Sequence, residues 1–174
     1  EEETTETATL EAVLSRDNLQ AAWRAVKANQ GAAGVDGLDI EQTKSHLREH
    51  WKAIEAKLLS GAYTPAAVRA VEIQKPNGGH RTLGIPNVQD RVIQQALHQA
   101  LSPLWEAEFS EHSYGFRANR SAHDAIRAVQ GYIKAGKTWV VDIDLKNFFD
   151  EVNHDILMRR VSEKVRDKRL LRLI

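Results

Sequence analysis

The sequence predicts an α+β fold, a helix-rich body carrying one β-hairpin and ending in a strand that leads into a helix. Three observations point there. Apolar residues recur at helical spacing through most of the chain, with Leu47, Trp51, Ile54 and Leu58 as the clearest stripe. Between Val68 and Ile85 the pattern switches to alternation around the turn Pro76-Asn77-Gly78-Gly79. The run Trp139-Val140-Val141-Asp142-Ile143-Asp144 is β-branched and bounded by Gly136 before it and by a helical pattern after it.

Taken in order, residues 1–14 are acidic and rich in Thr, and are expected to form a disordered tail. Leu19, Ala22, Trp23 and Val26 define a helix from about Asn18 to Asn29, with Asp17 as its cap and Gly31 as its stop. The glycine-rich stretch Gly31–Gly37 reads as a loop. Asp39 and Gln42 stand at the spacing of a capping box, which opens a helix ending at Gly61. After the hairpin, a long helix follows Pro86, and Ser102-Pro103 breaks it. A compact loop spans Ser110 to Arg120. Ser121 caps a helix bearing Ile126, Val129 and Ile133, and Gly136 ends it. The strand Thr138–Asp144 comes next, and Asn153 caps the last helix.

Composition narrows the function. The chain has 42% hydrophobic residues, enough for a core, and no cysteine, which removes disulfide frameworks and thiolate zinc sites. No apolar run reaches the length of a membrane span and no secretory pattern opens the chain, so a cytoplasmic, bacterial location is expected. Net charge is zero but unevenly spread, since residues 1–20 hold six acids against Arg16 alone. Bases gather between Arg159 and Arg172, which suits either a solvated helix face or a phosphate-facing surface. The seven histidines lack a metal-ligand pattern, and neither a phosphate-binding P-loop nor a Ser-His-Asp arrangement is present.

Two constellations could carry chemistry. Asp142 and Asp144 would share one face of their strand, and carboxylate oxygens suit Mg²⁺, which takes one or two of them together with substrate phosphates. In isolation such acids more commonly cap turns or pair with a neighbour such as Lys146. Lys75 and Arg81 flank the hairpin turn, where a point charge and a planar fork could together hold a triphosphate. An ordinary exposed hairpin would look the same. Arg69, Arg91, Arg117 and Arg120 add positive charge nearby, and Ser113-Tyr114-Gly115-Phe116-Arg117 has the composition of a base-stacking loop, although packed aromatics are the commoner explanation.

Together these blocks resemble a known family. Gly34-Val35-Asp36-Gly37, Lys75 through Pro86, Asp90 through Leu97, Ser113 through Arg117 and Ser121 through Ala125 are similar, in this order, to the fingers blocks of bacterial group II intron reverse transcriptases, or maturases. Asp144 through Asp150 resembles the first catalytic block of their palm. The resemblance covers the chain from about Leu19 onward. One departure is Ala118, where the family has Pro, and this bears on the loop rather than on a ligand.

The resemblance implies fingers over residues 15–137 and the first part of a palm over 138–174. It implies Asp144 as the catalytic metal ligand, with the Leu145 carbonyl beside it, and Mg²⁺ as cofactor. Lys75, Arg81 and Phe149 would bind the dNTP, with Phe149 against the sugar, while Arg69, Arg91 and Arg117 would bind RNA or template. Asp142 does not match the catalytic position and is read as structural. The implied activity is RNA-directed DNA synthesis with intron RNA, template RNA, a DNA primer and dNTP as partners, together with intron splicing and mobility. The family's second acidic palm block is not among these residues, so the isolated chain is expected to be inactive, and an uncovered palm edge would favour a homodimer. The competing readings are a non-catalytic RNA-binding maturase module, and the reverse transcriptase of a retron or a CRISPR-associated system.

Overall fold

The computed structural model of the 174-residue chain describes residues 8–76 and 78–174. Asn77 of the hairpin turn and the first seven residues of the expected tail lie outside the described residues. Two compact units result. One comprises the chain up to Ser102 together with Met158–Ile174, and the other comprises Pro103–Leu157. They do not coincide with the expected division at residues 137 and 138.

In the first unit, α1 (Leu10–Val13) and α2 (Arg16–Ala28) precede the long α3 (Ile40–Ser60). The capping box of α3 forms as the sequence predicts: Gln42 N–H donates to Asp39 Oδ1 at 2.8 Å, and the Asp39 N–H donates to Gln42 Oε1 at 3.0 Å. Gly61 closes this helix in the left-handed region, at φ 71°. Next come β1 (Arg69–Gln74), β2 (His80–Ile85) and α4 (Val88–Leu101), and α2 packs along α4. The core gathers Leu10, Val13, Ala22, Val26, Ile54, Leu58, Val88, Val92, Ala96 and Leu97, joined by Val165 and Leu170. Leu19, Trp23, Leu47 and Trp51 of the expected stripes stay half-buried, because α2 and α3 diverge around a cleft of about 920 Å³ that these four line.

Residues 10–14 correct the expected tail, since Leu10, Val13 and Leu14 are buried. Their anchor is distant in sequence. The Leu10 N–H donates to Asp167 Oδ2 at 3.0 Å, and Arg169 bridges Asp167 (2.7 Å) and Glu11 (2.7 Å). The Arg169 guanidinium and the Leu10 N–H hold the Asp167 carboxyl well below the usual carboxylate range. Asp167 also caps the short α9 (Lys168–Leu171). Local composition suggested a tail because the partner of these residues stands some 157 positions away.

In the second unit, α5 (Pro103–Glu106) starts at the predicted break, and a loop leads to α6 (Ala122–Lys134). Ser121 caps α6 through a second capping box with Asp124, and Gly136 follows at φ 87°. Then comes α7 (Phe148–Glu151), and α8 (His154–Lys164) begins with Asn153 Oδ1 accepting from the Ile156 N–H at 3.0 Å.

The strand expected over Thr138–Asp144 does not form. These residues have no regular structure, and Trp139 is 95% exposed. Among the described residues the sheet is the β1–β2 pair alone. A β-branched run becomes a strand only when a neighbouring strand takes up its N–H and C=O groups, and the second unit otherwise consists of helices and loops.

Candidate functional site

Asp144 and the residues after it build a shallow pocket within the second unit. It is lined by Ile143, Asp144, Leu145, Asn147, Phe148, Phe149 and Asp150 and has a volume of about 560 Å³. The chain turns here because Asn147 adopts the left-handed conformation (φ 52°), which asparagine tolerates better than most residues. Its carbonyl then accepts the Asp150 N–H at 3.0 Å and the Glu151 N–H at 3.1 Å, which starts α7. That reversal brings Phe149 back beside Asp144. Phe148 and Phe149 meet edge to face with centroids 5.8 Å apart, and Phe149 itself is 87% exposed. Three residues singled out from the sequence, Asp144, Leu145 and Phe149, thus line one pocket.

The donor set can be tested against the implied Mg²⁺. Asp144 and Asp150, both of which line this pocket together with Leu145, carry carboxylates, and hard oxygens of this kind suit Mg²⁺ completed by substrate phosphates. Among the described residues no group of three or more acidic or histidine side chains gathers.

The hairpin belongs to the first unit. Its antiparallel register pairs Arg69 with Ile85, Val71 with Leu83 and Ile73 with Arg81. Side chains alternate along a strand, so Arg69, Val71, Ile73, Arg81, Leu83 and Ile85 share one face, and Lys75 continues the same alternation. The Lys75 N–H donates to the Gly79 carbonyl at 2.9 Å, which extends the ladder to the turn. Lys75, Arg81 and Arg69, three of the predicted cations, thus stand on one face and are exposed. The other face carries Ala70, Glu72, Gln74, His80, Thr82 and Gly84.

Two of the arginines expected to touch RNA are engaged with the protein instead. Every N–H of the Arg117 guanidinium has a protein acceptor. Nε and Nη2 donate to Glu106 Oε1 (3.0 and 2.8 Å), Nη2 to the Glu106 carbonyl (3.2 Å), and Nη1 to the carbonyls of Ser110 (2.7 Å) and Ser113 (3.3 Å). The ring of Phe109 lies 5.3 Å below it, and the side chain is only 7% exposed. Arg117 therefore clamps the loop, which corrects its expected role as a nucleic-acid contact. A guanidinium with five satisfied donors has none left for a phosphate.

Arg91 is half-buried under the Gly31–Gly37 loop, and Nη2 donates to the Ala32 carbonyl at 2.6 Å. That loop rests on the start of α4. A Cβ on Gly34 would lie 2.6 Å from the Asn87 backbone nitrogen and 2.7 Å from its Cα, so only glycine fits. One network went unnoticed at the sequence level. Buried Asp90 accepts from the Tyr63 hydroxyl (2.5 Å) and the Ala66 N–H (3.2 Å), and ties the end of α3 to α4. Burial, and then the hydrogen bond to Asp90, push the Tyr63 phenol well above its usual range. A tyrosine just beyond a helix end and an aspartate early in the next helix are the only local signals of it.

Comparison with known proteins follows the same residues. The family model described as reverse transcriptase (RNA-dependent DNA polymerase) matches residues 73–172, from the hairpin to the last helix. Protein YkfC of Escherichia coli (strain K12) is 40% identical over 162 residues, which cover 90% of this chain and 42% of that protein. The group II intron-encoded protein LtrA of Lactococcus lactis subsp. cremoris is 32% identical over 163 residues, covering 93% of this chain and 27% of LtrA. Nuclear intron maturase 1, mitochondrial, of Arabidopsis thaliana is 37% identical over 89 residues, covering 51% of this chain and 12% of its own length. The chain thus spans less than half the length of each of these relatives.

Proposed function

Since this chain belongs to the reverse transcriptase family and resembles within it the group II intron-encoded proteins, we propose that it forms the fingers and opening palm of an RNA-directed DNA polymerase serving intron splicing and mobility. The observation that carries this reading is the pocket shared by Asp144, Leu145 and Phe149.

In this reading Asp144 and the Leu145 carbonyl present oxygens to Mg²⁺, which when bound supplies charge neutralisation at the transferring phosphate. The Phe149 ring lies against the sugar of the incoming dNTP, where a 2′-hydroxyl would meet it. Lys75 and Arg81, on one hairpin face, bind the triphosphate, and Arg69 on the same face meets the template strand. Template RNA and a DNA primer are the partners. A phosphoryl transfer of the two-metal type needs ions about 3.5–4 Å apart with ligands for both, so the 174 residues alone do not sustain it.

The test is Asp144→Ala in a polymerase carrying this chain. cDNA synthesis should fall about a thousand-fold or more, the loss of several kcal/mol of transition-state stabilisation, while RNA affinity stays unchanged. Full cDNA synthesis by the variant would sink the catalytic reading. Should the parent protein itself synthesise no cDNA yet bind RNA through Arg69, the non-catalytic RNA-binding reading takes its place.

A further inference from the structure

The Ser110–Arg120 loop is rigidly held yet presents its largest apolar side chain to solvent. Arg117 closes one side of it through five hydrogen bonds, as described above. Arg120 closes the other: its guanidinium donates to the Glu111 carbonyl and lies 5.5 Å from the centroid of the Tyr114 ring. Between these anchors Phe116 sits at φ 56°, in the left-handed region, and its side chain is fully exposed, at 106% of the reference area.

Both features cost free energy. A left-handed backbone disfavours any residue with a Cβ, and more so a bulky one that gains no local hydrogen bond from it. An exposed phenyl ring forgoes the gain of burial. Asn119, the loop's other residue with positive φ (59°), is of a type that tolerates the conformation, whereas Phe116 is not. A strained residue whose surroundings hold it firmly marks a functional position more often than an accident of folding.

Resting on the function proposed above, we infer that Phe116 is a stacking residue for a nucleobase of the bound template–primer. A phenyl ring offers its face to any base regardless of sequence, and rigid presentation lowers the ordering cost of the contact. The Tyr114 ring, two residues before it, carries the Arg120 guanidinium. Arg117 acts as a positioning residue, since it touches the loop rather than the ligand.

The experiment uses a polymerase carrying this chain, with an RNA template–DNA primer bearing 2-aminopurine at successive positions, first in the template and then in the primer. In the parent protein, fluorescence should be quenched at one position, and the strand that reports it identifies which base is stacked. Phe116→Ala should relieve that quench and weaken template–primer affinity about 5- to 100-fold, as loss of one base–aromatic stack does. Phe116→Trp should restore both, and the thermal midpoint should be the same in all three proteins because the ring contacts nothing it could destabilise. Unchanged quench and affinity in Phe116→Ala would overturn the inference. So would a fall of several degrees in its midpoint, which would mean the ring packs within the protein. An active parent whose Phe116→Ala variant behaves normally refutes this inference alone, whereas cDNA synthesis by Asp144→Ala refutes the function on which it rests.

Discussion

Single residues show how differently two similar sequence signals resolve. Gly34 and Gly115 both sit in glycine-containing loops, but a Cβ on Gly115 would meet open space while one on Gly34 would strike the backbone of Asn87. Gly34→Ala should therefore destabilise the fold by about 1–3 kcal/mol, as overpacking does, and thermal unfolding beside a Gly115→Ala control would measure it. The arginines divide in the same way. Arg69 and Arg81 remain exposed on the hairpin, whereas Arg117 has every donor engaged by carbonyls and Glu106. Residue type and block position look alike for all three. What separates them is whether backbone carbonyls converge on the guanidinium, and that depends on the path of a loop rather than on any local pattern.

At the scale of elements, the starts of α3 and α6 were the most legible. By contrast, α2 starts at Arg16 after Ser15, which makes no side-chain cap, so the expected cap Asp17 lies inside its first turn. Asp39 with Gln42 and Ser121 ahead of α6 carry side chains that satisfy the orphan N–H groups of the first turn, a requirement met within four residues. The hairpin was equally legible because its turn sets the register, and the register put Arg69, Lys75 and Arg81 on one face. With Arg69 as a phosphate contact, Arg69→Ala should weaken RNA binding and reduce the slope of log affinity against log salt by about one unit. A filter-binding titration across salt concentrations measures this, and an unchanged slope would remove Arg69 from the interface. The segment Thr138–Asp144 went the other way. Its β-branched composition is real, but a strand is a property of two chain segments, and the second is not found in its unit.

Across the whole molecule, the tie between the first helix and the last is the feature that local reading could not supply. Asp167 takes hydrogen bonds from the Leu10 N–H and from Arg169, and Arg169 also pairs with Glu11. The Asp167 carboxyl is held below its unfolded value, so below about pH 4 the unfolded chain takes up this proton more readily than the folded one. Its contribution to stability is present in full above that range and is lost as pH falls through the folded value. Urea unfolding of the parent chain and Asp167→Asn should show a gap in midpoint near neutral pH that narrows steadily as the pH falls below about 4, and a pH-independent gap would refute the assignment. The sequence by itself determined the α+β class, the capping boxes of α3 and α6, the hairpin and its exposed cations, and the block from Asp144 to Phe149, because each is encoded in residues a few positions apart. Tertiary structure alone decided that Leu10, Val13 and Leu14 are core, that Arg117 is a clamp, and that Thr138–Asp144 stays irregular. It also decided that Asp144 and Phe149 share a pocket, through the left-handed turn at Asn147. Burial and backbone pairing depend on which distant segments meet, and no local spacing carries that information.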